Sequence, residues 1–433
     1  MKISVAGTGY VGLVTAVCLA EKGNIVTCLD IDMGKIALMQ KGFSPIFEPK
    51  LEELMQKNRD NIVYTSDYIM AYRDADVIII GVGTPEKKDG SANLKYVFEV
   101  AKQIAETVER DCIVIVKSTV PVGTNDKVEQ IIKENRKCKV NIEVVSNPEF
   151  LSQGTAVQDT LNATRIVLGV ESQKAESILK QMYSQFEIPF VITDRRSAEM
   201  IKYAANDFLA LKISYINEMA NLCEIVGANI EDVAKGMGMD PRIGDRFLNA
   251  GIGYGGSCFP KDTKALHWLA SFNDYELKTV KAAIEVNENQ KIKLIKKSKK
   301  YFDSFKGLNI AVLGLTFKPG TDDLRDAPSL VNIPLLIEDG ANVKAWDPVG
   351  MDNFRKIYPD EIKYCNSIEE TLIDTDICFI FTEWPEIKNF KLEKFTRLMK
   401  NPLVLDGRNC YSLDEAEKRG LIYESIGRRK VFN

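Results

Sequence analysis

The segment KISVAGTGYVGLVTAVCLAEKGNIVTCLDID, residues 2–32, carries the reading that decides the fold. Residues 2–6 alternate into a short apolar strand, Gly7-Thr8-Gly9-Tyr10-Val11-Gly12 follows, and a helical run continues to about Lys22. A second strand, Ile25–Leu29, ends in Asp30. Strand, G-x-G-x-x-G turn, helix and a strand closed by an acid make one βαβ unit. The glycines let the turn close tightly and the backbone approach a pyrophosphate. The helix start adds free N–H groups and the positive end of its dipole. A carboxylate at Asp30 accepts hydrogen bonds from ribose hydroxyls and repels a 2′-phosphate, which favours NAD over NADP. A plain turn is the alternative, and the flanking strand and helix weigh against it.

Working outward, buried-strand candidates recur at Val77–Val82, Ile113–Lys117, Ile142–Ser146 and Arg165–Val170, several of them separated by helical segments. Alternation of this kind predicts an α/β fold with a doubly wound parallel sheet. From Asp194 to Gly227 the pattern becomes one long helix, with Asp194 or Ser197 as its cap. A glycine-rich loop spans Gly236 to Gly256, and a helical stretch runs from Asp262 to Tyr301, interrupted near Asn273. Strands return at Leu308–Leu313, Val343–Trp346, Ile377–Phe381 and Leu403–Leu405, a diverged second copy of the opening pattern. The expected division is a Rossmann-like NAD-binding domain at 1–193, a central helical domain with the cysteine loop at 194–302, and a second Rossmann-like domain at 303–433. The first turn of that second copy, Gly314-Leu315-Thr316-Phe317-Lys318, lacks the second glycine needed for close pyrophosphate approach.

The 433 residues exceed one ordinary α/β core, and 45% are apolar, enough for full cores. A formal net charge of −4 supplies no basic face for nucleic acid or an anionic membrane. The apolar N-terminal run breaks at Gly7, unlike a secretory signal, and no stretch suits a bilayer span, so a cytoplasmic location is expected. Nine cysteines form no C-x-x-C pair, which disfavours a metal site or a disulfide framework. The single histidine, His267, reads as structural, leaving acid–base work to carboxylates, lysine or water.

Among the cysteines only Cys258 has a reactive setting, GYGGSCFPKD at 253–262: glycines that let the chain wrap a ligand, then Lys261 and Asp262. A nearby cation stabilises thiolate. On spacing alone, a nucleophile and a buried cysteine beside a flexible loop are equally good readings. Lys202 and Asn206 share one face of the long helix at i, i+4, next to a stripe continued by Leu209 and Ile213. Buried there, they could stabilise an oxyanion; on spacing alone a solvated helix edge is the better reading. Ser118-Thr119-Val120-Pro121 and Asn147-Pro148-Glu149-Phe150 end strands, where open α/β sheets bind ligands or simply turn.

Together the motifs GTGYVGLVTAVCLA, GTP followed by DGSANL, STVPVGT, NPEFLSQGTAVQD, KYAANDFLALKISYINE, GIGYGGSCFPKD and GLTFKPGTDDLRDAPS resemble, in order and over nearly the whole length, the UDP-glucose/GDP-mannose dehydrogenase family, its UDP-glucose branch in particular. The resemblance implies a nucleophilic Cys258 and places Lys202 and Asn206 around the reacting C6 oxygen. Asp262 and Thr119 match residues that hold or activate water, and Glu149 matches an acid–base carboxylate. Toward NAD it implies Gly7, Gly9, Tyr10, Val11 and Gly12, with Asp30 and Lys35 on the adenosine ribose and Gly83, Thr84, Pro85, Thr119, Gln153, Lys261 and Arg325 as further contacts. For the sugar nucleotide it implies Glu149, Phe150, Leu151, Lys202, Asn206, Phe247, Asn249, Gly251, Ile252, Gly253, Tyr254 and Gly255, then Phe317, Lys318 and Arg408. Arg242 matches a residue that reaches the neighbouring subunit's site, so a dimer or larger homo-oligomer is expected. One departure stands out: Gln153 occupies a position where family members often carry glutamate, and a glutamine cannot act as a base.

The resemblance implies four-electron oxidation of UDP-glucose to UDP-glucuronate through a Cys258 thiohemiacetal and thioester. A sister enzyme acting on GDP-mannose or a UDP-N-acetylhexosamine would share this machinery. A two-electron alcohol or hydroxyacid dehydrogenase would not need Cys258. A non-catalytic sugar-nucleotide sensor would not need Cys258, Lys202 and Asn206 together.

Overall fold

Strands rich in Val, Ile and Leu bury both faces, so a sheet built from them needs helices on both sides. The computed structural model, which describes residues 1–432, has this arrangement twice. The chain forms two compact units, Met1–Ala205 and Asn206–Asn433.

The first unit contains β1 (Lys2–Ala6), β2 (Ile25–Leu29), β3 (Ile62–Thr65), β4 (Val77–Ile80), β5 (Cys112–Val116), β6 (Ile142–Ser146), β7 (Ile166–Gly169) and β8 (Phe190–Thr193). Their order is β3-β2-β1-β4-β5-β6-β7-β8. The turns after β1 and β4 flank the point where strand order reverses, the usual ligand crevice of such sheets. Though β4 is apolar throughout, its residues divide by period two. Val77 and Ile79 join the core under helix Tyr10–Glu21, and Ile78 and Ile80 the core under helix Lys95–Thr107.

The second unit contains β9 (Asn309–Leu313), β10 (Asn342–Trp346), β11 (Ile362–Tyr364), β12 (Ile377–Ile380), β13 (Leu403–Asp406) and β14 (Ile422–Glu424). All pair in parallel, in the order β11-β10-β9-β12-β13-β14, the arrangement of the first six strands repeated. Helices Ile230–Gly238, Phe259–Phe272, Lys278–Lys291 and Lys293–Ser298 precede this sheet.

The long helix runs Arg195–Val226, with Asp194 accepting from the Ser197 N–H at 2.9 Å as its cap. Three details differ from expectation. The first sheet is not wholly parallel, because β7 meets β6 antiparallel. The chain doubles back through 147–165, and an antiparallel neighbour needs no full crossover. Strands β3, β8, β11 and β14 were not expected from the sequence; each is an edge strand of its sheet, and β3 and β8 are partly exposed. The glycine-rich stretch from Gly236 begins inside helix Ile230–Gly238, and the following helix starts at Phe259 rather than Asp262.

Within the first unit the long helix is anchored by Glu199. Its buried carboxylate accepts from Gly123 N at 2.6 Å, Asn125 N at 2.8 Å and Asn125 Nδ2 at 2.6 Å, covering the start of helix Thr124–Asn135. Glu199→Ala leaves these donors buried without an acceptor. It should lower unfolding free energy by about 3 kcal/mol, and Glu199→Gln by about 1 kcal/mol. Urea unfolding of the two variants checks the ranking.

Candidate active site

The turn after β1 is shaped by its own backbone. Gly7 has φ +92°, and a Cβ at Gly12 would stand 1.9 Å from the Gly7 carbonyl oxygen, so both positions demand glycine for the fold itself. At Gly9 a Cβ would meet no protein atom within 4 Å. The chain does not need glycine there, but close approach of a pyrophosphate does. No side chain caps helix Tyr10–Glu21, whose start faces the same turn. These features fit a bound dinucleotide.

Asp30 lies half-buried at the end of β2. Its Oδ2 accepts from Thr8 N at 2.8 Å and Thr8 Oγ1 at 2.5 Å, and its Oδ1 from Asp32 N at 3.0 Å. Burial pushes the carboxyl up, but these bonds and Lys35 outweigh it and hold the group below the ordinary value. The matching acid of the second sheet, Asp347 after β10, is fully buried. It accepts from Leu315 N, Thr316 N, Val349 N, Gly350 N and Trp384 Nε1 at 2.6–3.2 Å. That carboxylate is committed to the fold and cannot present itself to a ribose.

The other dinucleotide candidates of the first unit follow neighbouring strands. Tyr10 donates from its hydroxyl to Phe47 O at 2.8 Å. Val11 occupies the first turn of the same helix, and Lys35 the first turn of helix Met33–Gln40. Gly83, Thr84 and Pro85 follow β4, and the Thr84 hydroxyl donates to Thr119 O beyond β5 at 2.9 Å. Gln153 is buried after the NPEF turn.

That turn holds a buried ion pair, with Lys202 Nζ 3.1 Å from Glu149 Oε1. The other Glu149 oxygen accepts from Leu151 N at 2.8 Å. Phe150 has two cations near its ring, whose centre is 5.3 Å from Lys202 Nζ and 4.1 Å from the Arg165 guanidinium. Behind the pair, Asn147 Oδ1 accepts from Lys117 Nζ at 3.1 Å and from the Tyr183 hydroxyl at 2.6 Å. Burial lowers the Lys117 ammonium to about 8, with Glu149 opposing the shift. Sequence reasoning gave no role to Lys117 or Tyr183 and named Asn147 only as the start of a strand-ending turn. The available signal was a lysine closing an otherwise apolar strand.

In the second unit Cys258 is the N-cap of helix Phe259–Phe272, partly exposed, with Ser257 Oγ 3.7 Å from its sulfur. Four residues on, Asp262 is buried. One oxygen pairs with Lys261 and the other accepts from Asn206 Nδ2 at 2.7 Å. Asn206 is thus a buried, committed amide rather than a solvated helix edge. Burial pushes the Cys18, Cys28 and Cys112 thiols up to about 12 and raises Cys365, Cys378 and Cys410 as well.

Residues 247–256 pack closely against the second unit's own residues. Phe247 is left-handed at φ 66°, a strained conformation for an aromatic residue. Gly251 N donates to Asn217 Oδ1 at 2.8 Å, Gln290 Nε2 donates to Gly251 O at 2.7 Å, and Asn287 bonds both N and O of Tyr254. Ile252 N donates to Gly407 O at 3.0 Å. A Cβ at Gly255 would lie 2.4 Å from Asp326 O. The Arg408 guanidinium reaches Gly253 O at 3.1 Å, Phe317 O at 3.3 Å and Phe381 O at 2.8 Å. Gly251, Ile252, Gly253, Tyr254, Gly255, Phe317 and Arg408 are therefore brought together, with Asn249 on the same loop and Lys318 Nζ 5.6 Å from the Phe317 ring centre. Arg325 forks onto Asp323, while its backbone carbonyl accepts from Gly256 N at 2.7 Å. Arg242 is exposed and forks onto Asp240. The amides Asn217, Asn287 and Gln290 were missed because each reads as one polar residue in a helix.

Fold and site define a dehydrogenase class with a dinucleotide turn in the first unit. Residues 1–187 match the NAD binding domain of the UDP-glucose/GDP-mannose dehydrogenase family, 196–289 its central domain and 311–413 its UDP binding domain. The chain belongs to this family and is an oxidoreductase with NAD as cofactor. It is 50% identical to the UDP-glucose 6-dehydrogenase YwqF of Bacillus subtilis, over 100% of this chain and 98% of that one. It resembles the solved UDP-glucose dehydrogenase of Pyrobaculum islandicum at 34% identity and TM-score 0.93, covering 99% of this chain and 98% of the other. A UDP-D-ManNAc dehydrogenase from Pyrococcus horikoshii is similar at 28% identity and TM-score 0.87, with 99% of both chains covered.

The glycine geometry predicts a split. Gly12→Ala should destabilise the protein by about 1–3 kcal/mol. Gly9→Ala should keep its thermal midpoint and lose NAD affinity at least about tenfold. Melting curves with NAD titrations separate the two. Asp30→Asn should raise NADP⁺ use relative to NAD⁺, and equal use of both by the unmutated protein would remove the role given to Asp30.

Proposed function

We propose that this protein oxidises UDP-glucose to UDP-glucuronate, using two NAD⁺ per sugar and Cys258 as a covalent nucleophile. The observation that carries the chemistry is Cys258 at the start of a fourteen-residue helix, one turn before a buried Asp262 held by Lys261 and Asn206. Free N–H groups and the positive dipole end favour negative charge on the sulfur. High identity to a UDP-glucose 6-dehydrogenase favours this sugar over those of the sister enzymes.

NAD⁺ when bound supplies the hydride acceptor for both oxidations. The glycine turn and Asp30 would hold its pyrophosphate and ribose, with Lys35, Thr84, Lys261 and Arg325 as further contacts. The primary alcohol becomes an aldehyde, and the Cys258 sulfur adds to its carbon to form a thiohemiacetal. Lys202 and Asn206 stabilise the negative oxygen. Oxidation of this adduct gives a thioester, and capture on sulfur retains the aldehyde between the two oxidations. Water attacks the thioester carbon, the carbon–sulfur bond breaks, and carboxylate and thiol result. Asp262 and Thr119 hold that water, and Glu149 moves protons, since Gln153 cannot.

The three-domain division at 1–193, 194–302 and 303–433 is part of this reading, supported by the placement of the three family domains. The last domain binds the UDP end through Lys318 and Arg408, and Asp347 being committed internally supports that. We also place the enzyme in the cytoplasm as a homodimer; no helix among the described residues is long and apolar enough to cross a membrane. Phe208, Tyr215 and Leu222 recur every seven residues and are exposed, giving a second copy an apolar stripe to cover. Arg242 would then serve the neighbouring subunit.

With limiting UDP-glucose, two NADH and one UDP-glucuronate should form per sugar; one NADH with a stable aldehyde would reject the four-electron scheme. Cys258→Ser should lose steady-state turnover by several orders of magnitude while still binding both ligands, and accumulate a sugar ester visible in the intact mass. Cys258→Ala should form no adduct. Near-normal acid production by Cys258→Ala would overturn the nucleophile assignment.

A further inference from the structure

Asp207 follows Asn206 on the long helix and takes no part in the chemistry proposed above. It is 4% exposed, and neither carboxyl oxygen has a hydrogen-bond partner. Its charged neighbours are Asp262 and Lys261 on helix Phe259–Phe272, with the Tyr254 phenol on the loop before that helix. Tyr254 stays neutral, its hydroxyl pushed up to about 12 by burial. Two carboxylates therefore share one buried region with one ammonium. Lys261 and the Asn206 amide are both committed to Asp262, so Asp207 lacks any donor that would stabilise its charge. An ionised, unbonded carboxylate in such a place costs several kcal/mol, and taking up a proton avoids that cost.

We propose that Asp207 is a buried carboxylic acid that holds a proton beside Asp262, a positioning residue that leaves Lys261 and Asn206 to Asp262 as its fixed partners. Here Asp262 has a cation and an amide, whereas Asp207 has neither. Burial, then the charge of Asp262, push Asp207 from 3.8 up to about 8 against the pull of Lys261. Above that pH a second negative charge appears next to Asp262 and competes for Lys261. The link to turnover rests on the hydrolytic role proposed for Asp262; the bound proton does not.

Folding is linked to the proton on Asp207. The folded value lies above the unfolded one, so the contribution of Asp207 is full below about pH 4 and is lost as pH rises toward about 8. Replacing Asp207 with asparagine removes this loss. The difference in thermal midpoint, Asp207→Asn minus wild type, should grow from pH 4 to pH 8 and level off above. A purely structural polar residue would give a constant difference.

Spectra and turnover are measured on the whole 433-residue chain. Infrared difference spectra at pH 7 should show a protonated carboxyl C=O band that is absent in Asp207→Asn and fades in the wild type above pH 8. The ratio of Asp207→Asn to wild-type turnover, which cancels groups common to both, should be flat below pH 7 and rise roughly threefold to tenfold by pH 9. No such band in the wild type at pH 7 overturns the bound proton even if the variant does not fold. A flat ratio across the whole range overturns the link to Asp262. If the wild type leaves UDP-glucose unchanged, the function reading fails and the band still decides the proton.

Discussion

The carbonyl oxygen of Gly7 lies 1.9 Å from where a Cβ at residue 12 would stand. This close approach of strand end and helix start is the constraint on which the first unit depends. It presses helix Tyr10–Glu21 onto the sheet so that every residue from Gly12 to Ala20 is buried. It also leaves the helix start uncapped and facing the point where strand order reverses. Packing and the open helix start are therefore set by one backbone contact, and Gly9 is the position of the turn that the chain's own packing does not require to be glycine.

The second sheet shows what happens when a similar architecture serves another end. Its strand order repeats that of β1 to β6, and an acid again follows the second strand from the reversal point. Yet Asp347 is surrounded by backbone N–H groups and the Trp384 indole, whereas Asp30 remains half-exposed. The difference lies in what bonds the carboxylate, since both units have the same layers. Strand order alone would have assigned both units to the same ligand.

Polar groups inside the second unit are arranged with similar economy. Asn217, Asn287 and Gln290 hold the backbone of a loop that forms no regular ladder of its own, and Arg408 ties three carbonyls to one guanidinium. Buried backbone groups need partners, so a glycine-rich loop can be rigid only if side chains supply them. Asp262 is placed by the same means, while Asp207 stands outside the network.

The βαβ opening, the central strands, the long helix and the ordered motifs could be read from the chain because each depends on local period and turn chemistry. Asp30 and Cys258 were visible for the same reason: both sit at fixed offsets from glycines. Only the tertiary structure decided which polar residues are buried and with whom. Lys202 could have been a solvated edge until Glu149, 53 positions away in the chain, met it as a buried ion pair. Asn217, Asn287 and Asp207 carry no local mark, since hydrogen-bond partners and desolvation belong to the packed fold. The antiparallel turn of β7 against β6 was hidden likewise, because strand direction is a property of the pair.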